Sequence, residues 1–198
     1  MTDWNERYKI GDTPWEKGAA APPLIELLGK TQEEIWGSGR TLVPGCGSGH
    51  DVRALATAGI TAVGVDLARE AIRRAEVFPR ISDETYEQGD FLEKDFAEGK
   101  TFSAIWEHTC FCAIDPQRRE NYAESCSRLL QSGGHLIGVF FLTAQDPGEE
   151  QQGPPFNSTI SELDERFARW FDRIKEWVPE SSYPGRKGKE WLAIYRKR

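Results

Sequence analysis

The sequence predicts an α/β protein built around a mostly parallel sheet, and three observations carry that reading. Apolar runs recur from Thr41 to Val43, Thr61 to Val65 and Leu136 to Leu142, as in strands covered on both faces. Between the first two runs, Val52, Leu55 and Ala56 share one face of a helix. The first run also breaks at Pro44 and Gly45 into glycines at every second position, and the second run ends in an acid, Asp66. At 198 residues the chain is long enough for one full α/β core. It divides into an N-terminal arm and helix (1–39), a core (40–142) and a C-terminal part (143–198).

The elements follow in order. From Trp4 to Gly18, the spacing of Trp4, Tyr8 and Trp15 suits one helical face, but Gly11 and Pro14 interrupt it, which gives a short helix and then a loop. These rings either pack as a passive arm or close as an aromatic lid, since ring faces attract a sulfonium cation. Leu24 to Leu28 is helical. After Asp66, the spacing of Ala71, Ile72 and Ala75 predicts a helix from Ala68 to Val77, stopped by Pro79. Tyr86 to Asp90 is a third strand whose end presents Gly89, Asp90 and Phe91; Asp90 either caps a helix or, with Phe91, holds an adenine.

Thr101 to Trp106 is the fourth strand, and ligands of open α/β sheets sit outside such strand ends, so the segment from Glu107 to Cys112 should face the reaction. His108 there is either a hydrogen-bond donor or a base. Pro116 to Leu130 reads as an amphipathic helix with Gly133 and Gly134 after it, and His135 to Leu142 as a central strand. The polar, Gly- and Pro-rich stretch from Thr143 to Phe156 is a candidate substrate loop. A helix from Ile160 to Phe171 and strands from Asp172 to Trp177 and Trp191 to Tyr195 complete the chain. Between those strands, Tyr183, Arg186, Lys187 and Lys189 form either a solvated basic loop or an attractor for a small anion.

Gly45, Gly47 and Gly49 admit backbone amides to a ligand, and a helix opening at this loop points its free amides the same way. With Asp66 for the ribose hydroxyls, this is a nucleoside-binding unit. Dinucleotide enzymes favour G-x-G-x-x-G, whereas here the order is G-x-G-x-G with His50 at the last glycine position, which favours S-adenosylmethionine.

Composition narrows the partners. A net charge of −7 and a pI near 5.1 argue against nucleic acid and for small-molecule chemistry. No stretch has the apolar length of a membrane span, and the opening MTDWNERYKI lacks a signal-peptide layout, so the expected site is the cytosol. Cys46, Cys110, Cys112 and Cys126 lack zinc-site spacing and are read as reduced thiols, with no metal expected.

With these residues in view, the chain resembles the thiopurine methyltransferase superfamily, and more closely its plant and bacterial halide/thiol (thiocyanate) methyltransferases. The resemblance rests on W-x3-Y-x2-GDTPW (Trp4 to Trp15), LVPGCGSGHDV (from Leu42), VGVDL (from Val63), GDF (from Gly89), FCAIDP (from Phe111), GPPF (from Gly153) and RKGKE (from Arg186). It implies a class I, Rossmann-like methyltransferase fold, a seven-stranded mostly parallel sheet whose last strand is antiparallel, with an aromatic lid. By position it gives the cofactor Trp4, Tyr8, Trp15, Gly45, Asp66, Asp90, Phe91 and His108, to which the motifs themselves add Gly47 and Leu67. At His108 the chain departs from the pattern, which has tyrosine in halide-type and arginine in thiopurine-type relatives.

The expected reaction is in-line displacement at the sulfonium methyl by halide, thiocyanate, hydrosulfide or a thiol, which needs no general base. Phe111, Phe156 and Tyr183 are the expected pocket walls and Arg186 the anion contact. Three rivals remain: a thiopurine-type or metalloid methyltransferase, a nicotinamide oxidoreductase, and a non-catalytic module that kept the cofactor site. A monomer is expected.

Overall fold

The computed structural model describes residues 2–30, 33–142 and 153–198. The elements are α1 (Trp4–Ile10), α2 (Pro22–Gly29), α3 (Glu33–Trp36), β1 (Thr41–Pro44), α4 (His50–Thr57), β2 (Ala62–Asp66), α5 (Arg69–Val77) and β3 (Thr85–Gln88). Then come β4 (Phe102–His108), α6 (Arg119–Leu129), β5 (Leu130–Phe141), α7 (Ile160–Phe167), β6 (Phe171–Trp177) and β7 (Glu190–Lys197).

The strands form a seven-stranded sheet in the order β3-β2-β1-β4-β5-β7-β6. Every pairing from β3 to β5 is parallel, and β7 runs antiparallel to both β5 and β6, as the resemblance implied. Strand order reverses between β1 and β4, which opens a crevice outside their carboxyl ends.

Alternation along the strands explains the two cores. Leu42, Ile105 and Leu136 point to the face covered by Tyr122, Leu129 and Phe167 of α6 and α7. Their neighbours Val43, Trp106 and Ile137 point to the other face, under Leu24, Trp36 and Leu55 of α2, α3 and α4. Both sides of each central strand are therefore buried, which is why these strands read as continuous apolar runs.

Beyond shifts of a few residues at strand ends, three boundaries and one element differ from the expectation. The predicted helix from Pro116 is a 3-10 turn over Pro116–Arg118 before α6 begins, because the Asp115 side chain accepts from Gln117 N at 2.9 Å and tightens that turn. Gly133 and Gly134 do not separate the helix from the next strand; they lie inside β5, which starts at Leu130 rather than His135, where the register slips between Phe102↔Leu130 and Ala104↔His135 and the extra residues are absorbed. Helix α7 stops at Phe167, since Phe171 opens β6 and is buried against the Phe167 ring, the centroids 5.8 Å apart. The short α3 was not expected at all. Of the predicted substrate loop, 143–152 lies outside the described residues.

Candidate functional site

A cavity of about 820 Å³ lies outside the carboxyl ends of β1, β2, β3 and β4. Its floor begins at the loop after β1, where Gly45, Gly47 and Gly49 all take positive φ. At Gly47 a Cβ would stand 2.8 Å from the Tyr8 hydroxyl, so a side chain there is barred by strain and by contact. The loop is tied to the end of β2 through Asp66, whose Oδ2 accepts from Gly47 N at 3.0 Å and whose Oδ1 accepts from Ala68 N at 2.8 Å. Each carboxylate oxygen keeps a lone pair for a further donor, and Asp66 lines the cavity beside Leu67. Burial raises its pKa against those two amides. The cradle fits a ribose diol: glycines that admit it and an acid that accepts from it.

The arm forms the opposite wall. Tyr8 is buried against Ala68 and Ala71 of the α5 turn, and Arg74 donates to its carbonyl. Trp15 donates from Nε1 to the Tyr8 hydroxyl at 3.0 Å, and its ring meets Trp4 edge-on at 5.3 Å between centroids. Trp4, Tyr8 and Trp15 all line the cavity. Beyond them, Glu16 pairs with His50 of α4 at 3.0 Å; the hydrogen bond from His50 holds its carboxyl down at about 2. The arm is thus anchored on both sides of the aromatic cluster.

Past β3, Asp90 Oδ1 accepts from Leu92 N at 2.9 Å, and Oδ2 faces Arg118 at 3.3 Å. Asp90 caps no helix: the residues after it form a turn, which its contact with Leu92 N closes, and the residue lines the cavity with Phe91. Past β4, the buried Glu107 accepts from Cys110 N, Phe111 N and the Tyr122 hydroxyl, which folds the chain back sharply. The turn drives Thr109 to φ 65, a strained value for a β-branched residue, at the cavity wall. It also turns Phe111 inward.

Phe111, expected as a pocket wall, belongs instead to the core. Its ring packs on Tyr122, Phe140 and Phe167, and the Arg119 guanidinium covers it at 4.6 Å. Phe156 does line the cavity, held there by its amide, which donates to Cys112 O at 2.7 Å. Arg119 secures the same segment by donating to Asn157 O at 2.8 Å and pairing with Glu162.

A second, smaller cavity of about 70 Å³ adjoins the first at Tyr8, Trp15, Gly45 and Thr109. Gly47, His108 and Tyr183 line this one and not the larger. For Tyr183 the reason is its hydroxyl, which donates to Ala19 O at 2.6 Å and holds the ring against the arm. For His108 it is a pair of acids: Nδ1 lies 3.5 Å from Asp51 Oδ2, and Nε2 lies 3.7 Å from Glu190 Oε1. Burial opposes the imidazolium, but the two carboxylates together outweigh it and push His108 up to about 9, although Nε2 also lies 3.3 Å from Arg186 Nη1. Arg186, which does line the larger cavity, meets the same Glu190 oxygen at 3.4 Å.

Sequence reasoning therefore brought Trp4, Tyr8, Trp15, Gly45, Asp66, Leu67, Asp90, Phe91, Phe156 and Arg186 to one cavity. It missed Glu16, Asp51, Glu107 and Glu190. A charged residue inside or abutting an apolar run was the available signal for Glu107 and Glu190. Nothing local marked Asp51, which accepts from Ala21 N at 2.7 Å and from Trp106 Nε1 at 2.8 Å. Among the described residues there is no cluster of side chains that could hold a metal ion. None of the described helices is long and apolar enough to cross a membrane.

Comparison with known proteins agrees with this geometry. The family model described as thiopurine S-methyltransferase matches residues 1–182. A probable thiol methyltransferase 2 of Arabidopsis thaliana is 32% identical over 98% of this chain and 84% of its own length. Thiocyanate methyltransferase 1 of Brassica oleracea is 31% identical with the same coverage. Among solved structures, the 1,6-didemethyltoxoflavin-N1-methyltransferase of Burkholderia thailandensis, with bound S-adenosylhomocysteine, superposes with a TM-score of 0.73 at 19% identity, over 98% of this chain and 85% of that one.

Proposed function

The chain belongs to the thiopurine S-methyltransferase family and is an S-adenosylmethionine-dependent methyltransferase, and from that premise we propose that it methylates a small soft nucleophile: halide, thiocyanate, hydrosulfide or a thiol. The observation that carries this reading is the wall of the larger cavity. Its lining includes the Arg186 cation and apolar groups such as Ile114, Pro155 and Phe156, with Arg7 and Arg118 to balance Asp66, Asp90 and Asp115, and among the described residues it contains no histidine. A site that attracts an anion and lacks a histidine base suits a nucleophile that arrives already charged.

S-adenosylmethionine supplies an electrophilic methyl on a sulfonium. The chain's own part is to hold, orient and dry the reactants. Asp66 accepts the ribose hydroxyls, Asp90 and Phe91 take the adenine, and Trp4, Tyr8 and Trp15 cover the sulfonium face. Gly45 and Gly47 admit the amino-acid end toward the smaller cavity, where His108 stands. Phe156 and Arg186 would face the nucleophile and hold it, stripped of water, toward the methyl that the cofactor would supply. The protein's own thiols do not compete: burial pushes Cys112 in the cavity wall up to about 12 and raises Cys110 further, so both stay neutral.

The size of the cavity supports a second reading. At about 820 Å³ it is near the upper end of the 300–1,000 Å³ usual for small-molecule sites, which leaves room for a larger thiol, a thiopurine or a metalloid. One experiment separates these. The protein is incubated with S-adenosylmethionine and single nucleophiles, the headspace is assayed for methyl iodide, methyl thiocyanate and methanethiol, and thiopurine products are followed in solution. Volatile products should dominate, with iodide and thiocyanate rates nearly flat from about pH 6 to 8 because those anions do not titrate there. Turnover of thiopurine alone would replace the first reading with the second.

A further inference from the structure

Four side chains, drawn from three elements and one loop, form one cluster at the edge of the cavity. Asp51 of α4 and Glu190 of β7 flank His108 of β4, and Glu190 Oε1 is shared between His108 Nε2 at 3.7 Å and Arg186 at 3.4 Å. Their side chains are 14%, 1%, 12% and 17% exposed in the order Asp51, Glu190, His108, Arg186, so water screens the cluster little. His108 Nε2 also lies 3.3 Å from Arg186 Nη1, so both groups converge on the one Glu190 oxygen, and Arg186 is the member that lines the larger cavity.

We propose that His108, Asp51 and Glu190 are positioning residues that hold Arg186 as the anion anchor of the cavity, an inference that rests on the anionic-nucleophile reading above. The charges supply the reason. Were His108 neutral, the buried Glu190 would have Arg186 as its principal counter-charge and would draw the guanidinium into a closed pair, leaving little positive potential toward the cavity. A cationic His108 shares that carboxylate oxygen and, as a like charge 3.3 Å from the guanidinium, opposes its closing on Glu190. Asp51, on the far nitrogen, keeps the imidazole charged and fixes its ring plane, much as an acid does behind a catalytic histidine, but with no proton moved.

Lateral contacts complete the surroundings. The Arg186 guanidinium lies 5.5 Å from the Phe141 ring centroid and 5.9 Å from that of Tyr183, which limits its swing. Tyr183 is also the remaining titratable group facing His108, at 6.2 Å between rings, and burial pushes its phenol up to about 12. It stays neutral through the range in which His108 titrates.

The test reads anion binding directly, so it does not depend on turnover. Thiocyanate is titrated calorimetrically into the protein saturated with S-adenosylhomocysteine, for the wild type, Arg186→Ala, His108→Gln and the double variant. Each single variant should bind thiocyanate about tenfold more weakly, and the double variant no more weakly than Arg186→Ala alone, because one residue acts through the other. Affinity for S-adenosylhomocysteine should stay within about threefold in every variant. Additive losses, or a His108→Gln variant with wild-type thiocyanate affinity, would overturn the proposal. Where His108→Gln fails to fold, wild type and Arg186→Ala decide it by pH: wild-type affinity should fall as pH rises through about 9, and the Arg186→Ala profile should not show that step. A flat wild-type profile would equally overturn it. Saturable thiocyanate binding without methylation of any nucleophile would remove the substrate reading and leave this one standing; no saturable binding by the wild type removes this one.

Discussion

The glycine loop and the Arg186 wall face each other across one cavity, yet they are built in opposite ways. In the loop, the ties to the acid span short stretches of chain: Gly47 N reaches Asp66 across 19 residues, and Ala68 N reaches the same carboxylate across two. At the Arg186 wall, the contact from His108 to Arg186 spans 78 residues. The loop's chemistry lies in backbone conformation and one acid, whereas the wall's lies in charges that neutralise one another only after the sheet has formed. Local construction makes a site rigid and readable, and long-range construction lets the substrate end vary while the cofactor end stays fixed.

The sharpest way to break the local side is Asp66→Ala. Two charge-assisted hydrogen bonds from a ribose, at about 1.5 to 3 kcal/mol each, make the expected loss of S-adenosylhomocysteine affinity about a hundredfold or more. Because Asp66 also holds Gly47 N and Ala68 N, loop order should be lost as well, seen as faster hydrogen exchange at residues 45–49. Unchanged affinity in a folded variant would sink the ribose assignment.

The long-range side breaks with pH. His108 is raised from 6.5 to about 9 on folding, so the stability it contributes is complete below pH 6.5 and is lost as pH climbs through 9. The shift corresponds to roughly 3 kcal/mol at most, since one pKa unit is about 1.4 kcal/mol. Asp51 and Glu190 are both held below their ordinary values: burial pushes each up, but His108 together with Ala21 N and Trp106 at Asp51, and with Ser182 and Arg186 at Glu190, outweighs it, and their contributions fade only in acid, outside that window. Unfolding free energies of wild type and His108→Gln should therefore converge between pH 6.5 and 9.5. Parallel curves would show that His108 is neutral in the folded protein.

That contrast also explains what the sequence disclosed. Strands β1, β2 and β5 announced themselves because two-sided burial leaves continuous apolar runs, and the glycines announced the loop because few other residues accept its backbone. Phe111 misled for a physical reason. Its neighbours Thr109, Cys110 and Cys112 line the cavity, but Glu107 binds two successive amides and rotates the turn so that the ring points into the core. A three-residue change of direction leaves no periodic signal. The partnership of Asp51, His108 and Glu190 left none either: Glu190 stood out only as a charge at the edge of an apolar run and Asp51 not at all, and the three become partners only through strand order.

The arm lies between the two extremes and gives the smallest but most discriminating effect, through two of its rings. Tyr8 is 3% exposed and packs on Ala68 and Ala71, whereas Trp15 is half-buried and lines both cavities. If the arm packs at one ring and covers the cofactor at the other, the two truncations should fail differently. Tyr8→Ala should cost about 3 kcal/mol of unfolding free energy, the usual loss for a large buried side chain. Trp15→Ala should change stability by less than about half of that and instead raise the dissociation constant of S-adenosylhomocysteine about tenfold, with turnover falling alongside. Limited proteolysis supplies an independent reading, since cleavage at Lys9 and Lys17 should slow when S-adenosylhomocysteine binds and hardly at all in the Trp15 variant. Full affinity in that variant, with equal cleavage rates in the free and bound wild type, would make the whole arm a packing element and assign the shielding of the sulfonium to the walls after β3 and β4.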